Sequence, residues 1–352
     1  MWRLEARPAP SRVWVWASPV LALALTTLLG LLLFAALGKD PARGLQVFFW
    51  EPVRSVYALG ELGLKAAPLL LMALGLALAF RSNVWNIGAE GQFVMGAVFA
   101  GGVALAADAS AGGLTLPAML LAGAAGGMCW AAIAALLRDK CHASEILVSL
   151  MLVYVAVQVL GYLVYGPWKD PQGYNFPQTR LLGPAAQLPR LMDGSRLHAG
   201  LPLALAGAAL LWVWLFRTRA GFAQQVCGLA PAAARYAGFS SRRALWTAML
   251  ASGGAAGMAG ALEVAGPLRQ LTPNVPAGYG FAAIIVAFVG RLHPLGIVLA
   301  ALLMSMFYIG GELAQSRLGL PKSITGVFQG LLLFALLACD TLVHYRIRRG
   351  GR

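Results

Sequence analysis

The sequence predicts an all-α, polytopic membrane helical bundle of about ten transmembrane helices. Of its 352 residues, 59% are hydrophobic and only 11% are charged, whereas a soluble domain carries about a quarter charged residues. Several apolar runs reach the roughly 20 residues that a helix needs to cross a bilayer. No segment is long and polar enough to form a soluble domain, so we expect residues 1–352 to form a single transmembrane domain.

The apolar runs define the individual spans. We place them at residues 14–37, 57–80, 86–107, 115–137, 145–166, 200–216, 244–263, 279–290, 295–311 and 324–344. The first follows three arginines, as a signal peptide would, but it is too long for the apolar part of a typical signal peptide, and we expect it to be retained. The eighth is short enough to be either a crossing or a re-entrant segment.

Basic residues predict the orientation of the chain. The 217–243 segment carries five arginines and no acid, and the loop with Arg138 and Lys140 and both termini are also basic. The positive-inside rule places these segments in the cytoplasm, which requires an even number of crossings and favours counting the eighth span as one. The net charge of +14 then reflects topology and not a nucleic-acid partner. Acidic residues expected outside are Asp40, Glu51, Asp108, Asp170, Asp193 and Glu312.

A polar interruption lies between the second and third spans. Residues 80–102 carry Asn83, Asn86, Glu90 and Gln92 among glycines. Polar side chains and broken backbone persist at membrane depth only where protein buries them or water reaches them. The pattern therefore predicts an internal helix break or a polar path, which is typical of transport proteins.

These polar side chains are candidates for the path of a hydroxyl-bearing substrate, because amides and carboxylates hydrogen-bond to hydroxyl groups. Aromatic side chains nearby could stack on a base or on a sugar face. The alternative is that the polar groups cap the helix break and that the aromatic groups only pack. The candidate substrate-path residues are Asn83, Asn86, Glu90, Gln92, Trp85 and Phe93.

The 217–243 loop predicts a short helix. Pro231 suits the first helical turn, the three alanines after it favour a helix, and Gly238 is a typical C-terminal stop. Such a helix is small enough for a partner to pack closely on it. The alternative is a basic loop that only sets topology.

Four segments together resemble a known family. They are NVWNIGAEGQFVMGA, GLAPAAARYAGFSSRRALWTAMLASGGAAGMAGALEVAG, GYGFAAIIVAFVGRLHPLG and LPKSITGVFQGLLLFALL. In this order and spacing they resemble the transmembrane permease subunits of ABC importers for simple sugars and nucleosides, the branched-chain amino acid and ribose-like permeases. The resemblance extends from about residue 64 to about residue 337, and it implies a type II importer-like permease domain.

The resemblance implies partners for this chain. ATP hydrolysis would belong to a separate cytoplasmic ABC ATPase subunit, so the chain would be neither an enzyme nor a cofactor carrier, and it contains no G-x-x-x-x-G-K-[ST] motif. A second permease subunit, often making a heterodimer in this family, would complete the pore. An extracytoplasmic binding protein would deliver a nucleoside or a simple sugar from outside, and the permease would translocate it across the plasma (inner) membrane of a bacterium.

The resemblance makes the short helix the contact with the ATPase. ATP-driven closure of that subunit would move the helix and the spans attached to it, switching access from outside to inside. The expected contact residues are Pro231, Ala233, Ala234, Arg235, Tyr236 and Gly238.

A competing function is a secondary transporter of a small polar solute, driven by a proton or sodium gradient. Glu90, Glu145 and Glu263 would serve it, because carboxylates within spans are functional candidates by default. A membrane-embedded enzyme is disfavoured because the histidines are dispersed and no catalytic signature is present. Cysteines at positions 129, 141, 227 and 339 lack the spacing of a disulfide frame or metal site.

Overall fold

The computed structural model describes residues 2–7, 11–107, 112–192 and 194–349, and most of these residues are helical. The predicted outward positions of Asp108 and Asp193, and the predicted inward position of Arg352, lie outside the described residues. The helices are α1 (Arg12–Ala36), α2 (Pro41–Leu45), α3 (Val56–Arg81), α4 (Ala89–Ala106), α5 (Thr115–Cys141), α6 (Glu145–Tyr165), α7 (Gly200–Arg217), α8 (Arg219–Leu229), α9 (Pro231–Tyr236), α10 (Ser241–Glu263), α11 (Tyr279–Val289), α12 (Pro294–Leu318) and α13 (Ile324–His344).

Nine of these helices, within the described ranges, are long and apolar enough to cross a membrane. They overlap nine of the ten predicted spans, so the all-α polytopic fold is confirmed. The eighth predicted span is α11, which has only 11 residues. At 1.5 Å per residue it is about 16 Å long, roughly half the hydrocarbon core.

The chain divides into two compact units, residues 63–302 and residues 1–62 with 303–352. In the first unit, α4, α5 and α10 pack tightly on one another. Glycines make this approach possible: a Cβ added at Gly96 would overlap the backbone at Gly257, and one at Gly127 would overlap the Gly253 carbonyl. The helices therefore pack backbone to backbone, as small residues allow within membranes.

The second unit packs α1 against α13 around an aromatic cluster. Phe48 stacks on Phe328 with ring centroids 4.2 Å apart, and Phe34 and Phe307 flank that pair. The two ends of the described part of the chain also meet here, because strand β1 (Trp2–Ala6) pairs with strand β2 (Tyr345–Arg349) in an antiparallel ribbon.

Residues 271–292, called the broken span below, consist of an irregular segment and the helix α11. Leu271 exchanges hydrogen bonds of 3.0 Å with Thr179 and packs on Gly101, near the C-terminal end of α4. At the other end, the carbonyl of Leu292 accepts a hydrogen bond from Arg81, the last residue of α3. Residues 271–292 therefore extend along α4, with an irregular half and a helical half.

Candidate functional site

The predicted helix break is present between α3 and α4. Residues 82–88 are not helical, and Asn83 adopts a left-handed backbone conformation with φ of 54°. The Asn83 side chain is exposed and accepts a hydrogen bond of 3.1 Å from the indole nitrogen of Trp85. Trp85 is 39% exposed and stacks against Phe288 of α11 and Phe80 of α3. These two candidates therefore lie at one end of the break, accessible from outside this chain.

Asn86 and Gln92 form a buried amide pair inside the break. Each donates to the other, at 2.8 and 2.9 Å, and Asn86 also donates to the hydroxyl of Ser252 on α10 at 2.8 Å. The Asn86 carbonyl oxygen further accepts the backbone amide of Gly88 at 3.1 Å. These bonds satisfy backbone and side-chain groups that the break would leave without partners in a water-free interior.

Glu90 binds the N-terminus of α11. One carboxylate oxygen accepts the backbone amide of Gly278 at 2.8 Å and the other accepts that of Gly280 at 2.5 Å. A helix N-terminus has free amides and a partial positive charge, so a carboxylate is a well-matched partner. Glu90 thus joins the start of α4 to the middle of the broken span.

The other candidates of this region are also engaged within the chain. Phe93 is fully buried and meets Tyr279 edge-on, with centroids 6.0 Å apart. Glu145 pairs with Arg138 and accepts the backbone amide of Trp85 at 3.4 Å. These contacts fit the alternative in which the polar groups stabilise the helix break and the aromatic group packs, for Asn86, Glu90, Gln92 and Phe93. Contact of any of the six candidates with substrate stays a prediction.

The predicted short helix is also present, as α9, but a second helix, α8, precedes it within the 217–243 segment. Ala234 is fully buried and packs with Cys227 of α8 and Ala244 of α10, flanked by Val226 and Phe239. Burial raises the pKa of the Cys227 thiol, which therefore stays protonated and packs as a small apolar group. The backbone at Gly228 lies directly on α3, since a Cβ there would overlap the Arg81 carbonyl.

Ala234 differs from the other predicted contact residues because it is buried against α8 and α10. Contact of any of the six residues with an ATPase subunit stays a prediction. The other predicted contact residues are exposed: Pro231, Ala233, Arg235, Tyr236 and Gly238. Tyr236 is 97% exposed.

Leu229, at the end of α8, is a further exposed apolar residue, which the sequence pattern does not predict. It is 85% exposed and lies two residues before α9. Nothing in the sequence pattern distinguishes it from a buried loop leucine. Together with Tyr236 it gives the loop an exposed apolar surface.

Comparison with known proteins identifies the family. The sequence model of the family described as branched-chain amino acid transport system / permease component matches residues 59–337, more than half of the chain. The chain belongs to this permease family. The resemblance found in the sequence, to permeases of the ABC family for simple sugars and nucleosides, is therefore confirmed. All four segments that carry the resemblance lie entirely within the matched residues.

Relatives of the permease are named as transporters of glucose, guanosine and nucleosides. The chain is 33% identical to the glucose ABC transporter permease protein TsgB13 of Haloferax volcanii, over 96% of this chain and 92% of that protein. It is 31% identical to the guanosine ABC transporter permease protein NupP of Bacillus subtilis, over 90% of this chain and 91% of that protein. It is 28% identical to the nucleoside ABC transporter permease protein NupB of Lactococcus lactis, over 90% of this chain and 89% of that protein. No solved structure matches the chain.

Proposed function

We propose that this permease is the membrane-spanning subunit of an ATP-driven importer, and that α9 receives the movement of a cytoplasmic ABC ATPase subunit. The observation that carries the proposal is the construction of α9. Its inner side is attached to α8 and α10 through Ala234, while its outer side presents Arg235 and Tyr236. An exposed helix that is firmly attached to a span suits the transfer of movement from a partner.

The proposed substrate is a nucleoside or a simple sugar. Relatives with at least 30% identity and coverage of nine-tenths of the chain are named as permeases for glucose and for guanosine, which share a polyhydroxylated ring. An extracytoplasmic binding protein would deliver the substrate. A second permease subunit would complete the pore, and the relatives with two named permeases in one organism support a heterodimer.

We further propose that both termini face the cytoplasm of a bacterial cell and that the permease crosses the plasma membrane ten times. The pairing of Glu5 with Arg346 in the β1–β2 ribbon supports an even number of crossings, because paired ends lie on one side of a membrane. The nine long helices of the described residues give an odd number, and we assign the tenth crossing to the broken span. The arginines of the 217–243 segment support the cytoplasmic side.

The ion-gradient alternative finds less support in the geometry. Both oxygens of Glu90 are occupied by backbone amides, and Glu145 is paired with Arg138. Glu263 also interacts with a neighbouring group. A proton or sodium carrier needs a carboxylate that exchanges its ion with water, and these carboxylates are held by the fold.

Reconstitution in proteoliposomes tests the proposal. The permease is combined with the proposed ATPase subunit, second permease subunit and binding protein, and uptake of radiolabelled nucleosides and sugars is measured. We expect uptake only with ATP on the ATPase side, and none with an ATPase subunit whose phosphate-binding lysine is replaced. Uptake by the permease alone under a proton or sodium gradient would overturn the proposal.

A further inference from the structure

Arg81 joins three elements at the end of the helix break. Its Nε donates to the Leu292 carbonyl at 2.8 Å, and its Nη1 donates to the Gln225 side-chain oxygen on α8 at 3.0 Å. Its guanidinium carbon also lies 5.3 Å from the ring centre of Phe216 on α7. The planar guanidinium can hold several partners at fixed angles, which a lysine ammonium cannot.

The α8 side of this joint is rigid. Gln225 donates its own amide to the Leu215 carbonyl at 2.9 Å, so its oxygen is oriented toward Arg81. Its neighbour on α8, Gln224, donates to the Ala244 carbonyl at 2.7 Å and so attaches the helix to the start of α10. The α8 helix also contacts α9 directly, because Cys227 packs with Ala234.

The Leu292 side of the joint is a strained turn. Arg291 and Leu292 both have positive φ, 57° and 53°, a conformation that residues with side chains rarely adopt. The turn closes directly on α12, because a Cβ at Gly296 would overlap the Gly290 carbonyl. Burial and the charge of Arg81 lower the pKa of His293 in this turn, which keeps a second positive charge away from the guanidinium.

We infer that Arg81 is the positioning residue that transmits movement of α8 and α9 to α11, the helical half of the broken span. Arg81 connects α8 to Leu292 in the turn that follows α11, and Glu90 connects the N-terminal end of α11 to α4. Movement of the loop helices thus reaches a half-span whose other end is fixed inside the protein. This inference rests on the proposed function, since it assumes a partner that moves α9.

Arg81→Met tests the inference in the reconstituted transporter, because methionine keeps apolar bulk and removes both hydrogen bonds. Uptake and ATP hydrolysis are measured on the same proteoliposomes. We expect substrate taken up per ATP hydrolysed to fall about tenfold or more, the factor that corresponds to one charged hydrogen bond, while ATP hydrolysis and co-purification of the subunits are retained. Arg81→Lys should restore part of the ratio. Arg217→Met, at the exposed end of α7, is the matched control and should leave the ratio unchanged.

A second variant covers a failure of Arg81→Met to assemble. Gln225→Leu removes only the α8 partner and leaves the bond from Arg81 to Leu292, so we expect the ratio to fall about threefold or more. An unchanged ratio in an assembled Arg81→Met, or in Gln225→Leu if the first variant does not assemble, would overturn the inference. Failure of the proposed function is distinct, because the wild-type protein would then take up substrate without ATP.

Discussion

The Gly280 backbone lies directly against that of Glu90, and the Glu90 carboxylate accepts the Gly280 amide hydrogen with a donor–acceptor distance of 2.5 Å. A glycine is required there by space, since a Cβ at position 280 would overlap the Glu90 backbone nitrogen. The carboxylate supplies the acceptors for the start of α11. The close approach to Glu90 therefore requires glycine at position 280, and the free amide of Gly280 requires an acceptor at position 90.

Gly280→Ala should destabilise the permease by about 3 kcal/mol, because the added methyl group must displace α11 from α4. Thermal unfolding of the detergent-purified protein measures the effect. Gly330→Ala is the control, since a Cβ there meets no atom within 4 Å in helix α13, and alanine favours a helix by up to about 1 kcal/mol. Equal unfolding temperatures for the two variants would contradict the close approach.

Glu90→Gln should lower stability by about 2 kcal/mol, because an amide keeps one acceptor oxygen and places an NH₂ group against a backbone N–H. ATP-driven uptake should survive in part and should not change when a proton gradient is collapsed. The test is to measure uptake by the variant and by the wild type, each with and without a protonophore. Loss of all uptake in a fully assembled variant, with a proton-dependent wild type, would favour the ion-gradient alternative.

Tyr236→Glu should weaken binding of the ATPase subunit without unfolding the permease, because this side chain is almost fully exposed. Ala234→Glu should instead destabilise the loop, since a buried charge replaces a methyl group between α8 and α10. Co-purification with the tagged ATPase and unfolding temperature separate the two effects. A Tyr236→Glu variant that binds the ATPase normally would count against α9 as the contact.

Acid should destabilise the permease through His198, a buried residue of the loop before α7. Burial lowers the pKa of His198 from 6.5 to about 4, and its Nδ1 accepts the Gly200 amide at 3.0 Å. The unfolded chain binds a proton below pH 6.5 and the folded chain does not, so stability falls between pH 6.5 and about 4. The loss is at most about 3 kcal/mol. As the pH falls, the unfolding temperature should decrease less for His198→Asn than for the wild type. Parallel curves for the two proteins would show that His198 is not the cause of the acid destabilisation.

Cysteine labelling should place the 217–243 loop and the 166–200 loop on opposite sides. In a background with Cys129, Cys141, Cys227 and Cys339 replaced, a cysteine at exposed Ser240 should react only after the membrane is permeabilised, and one at Tyr174 should react in intact cells. Ready labelling of position 240 from outside would reverse the orientation.

The spans and the helix break could be predicted from the sequence because apolar runs and polar interruptions are local signals. Pairings across long separations could not. Nothing local shows that Glu90 binds amides 188 and 190 residues later, or that the arginine ending α3 holds α8. The buried side of α9 was hidden for a similar reason, since a run of three alanines has the same side chain on every face.

The β1–β2 ribbon brings the beginning and the end of the described chain together. Because the two ends are adjacent, the folded arrangement does not require the chain to begin and end at these positions. A short linker between the ends, with new ends opened in the 166–200 loop, would give a circularly permuted permease with the same neighbours throughout, since permutation is tolerated where ends lie close together.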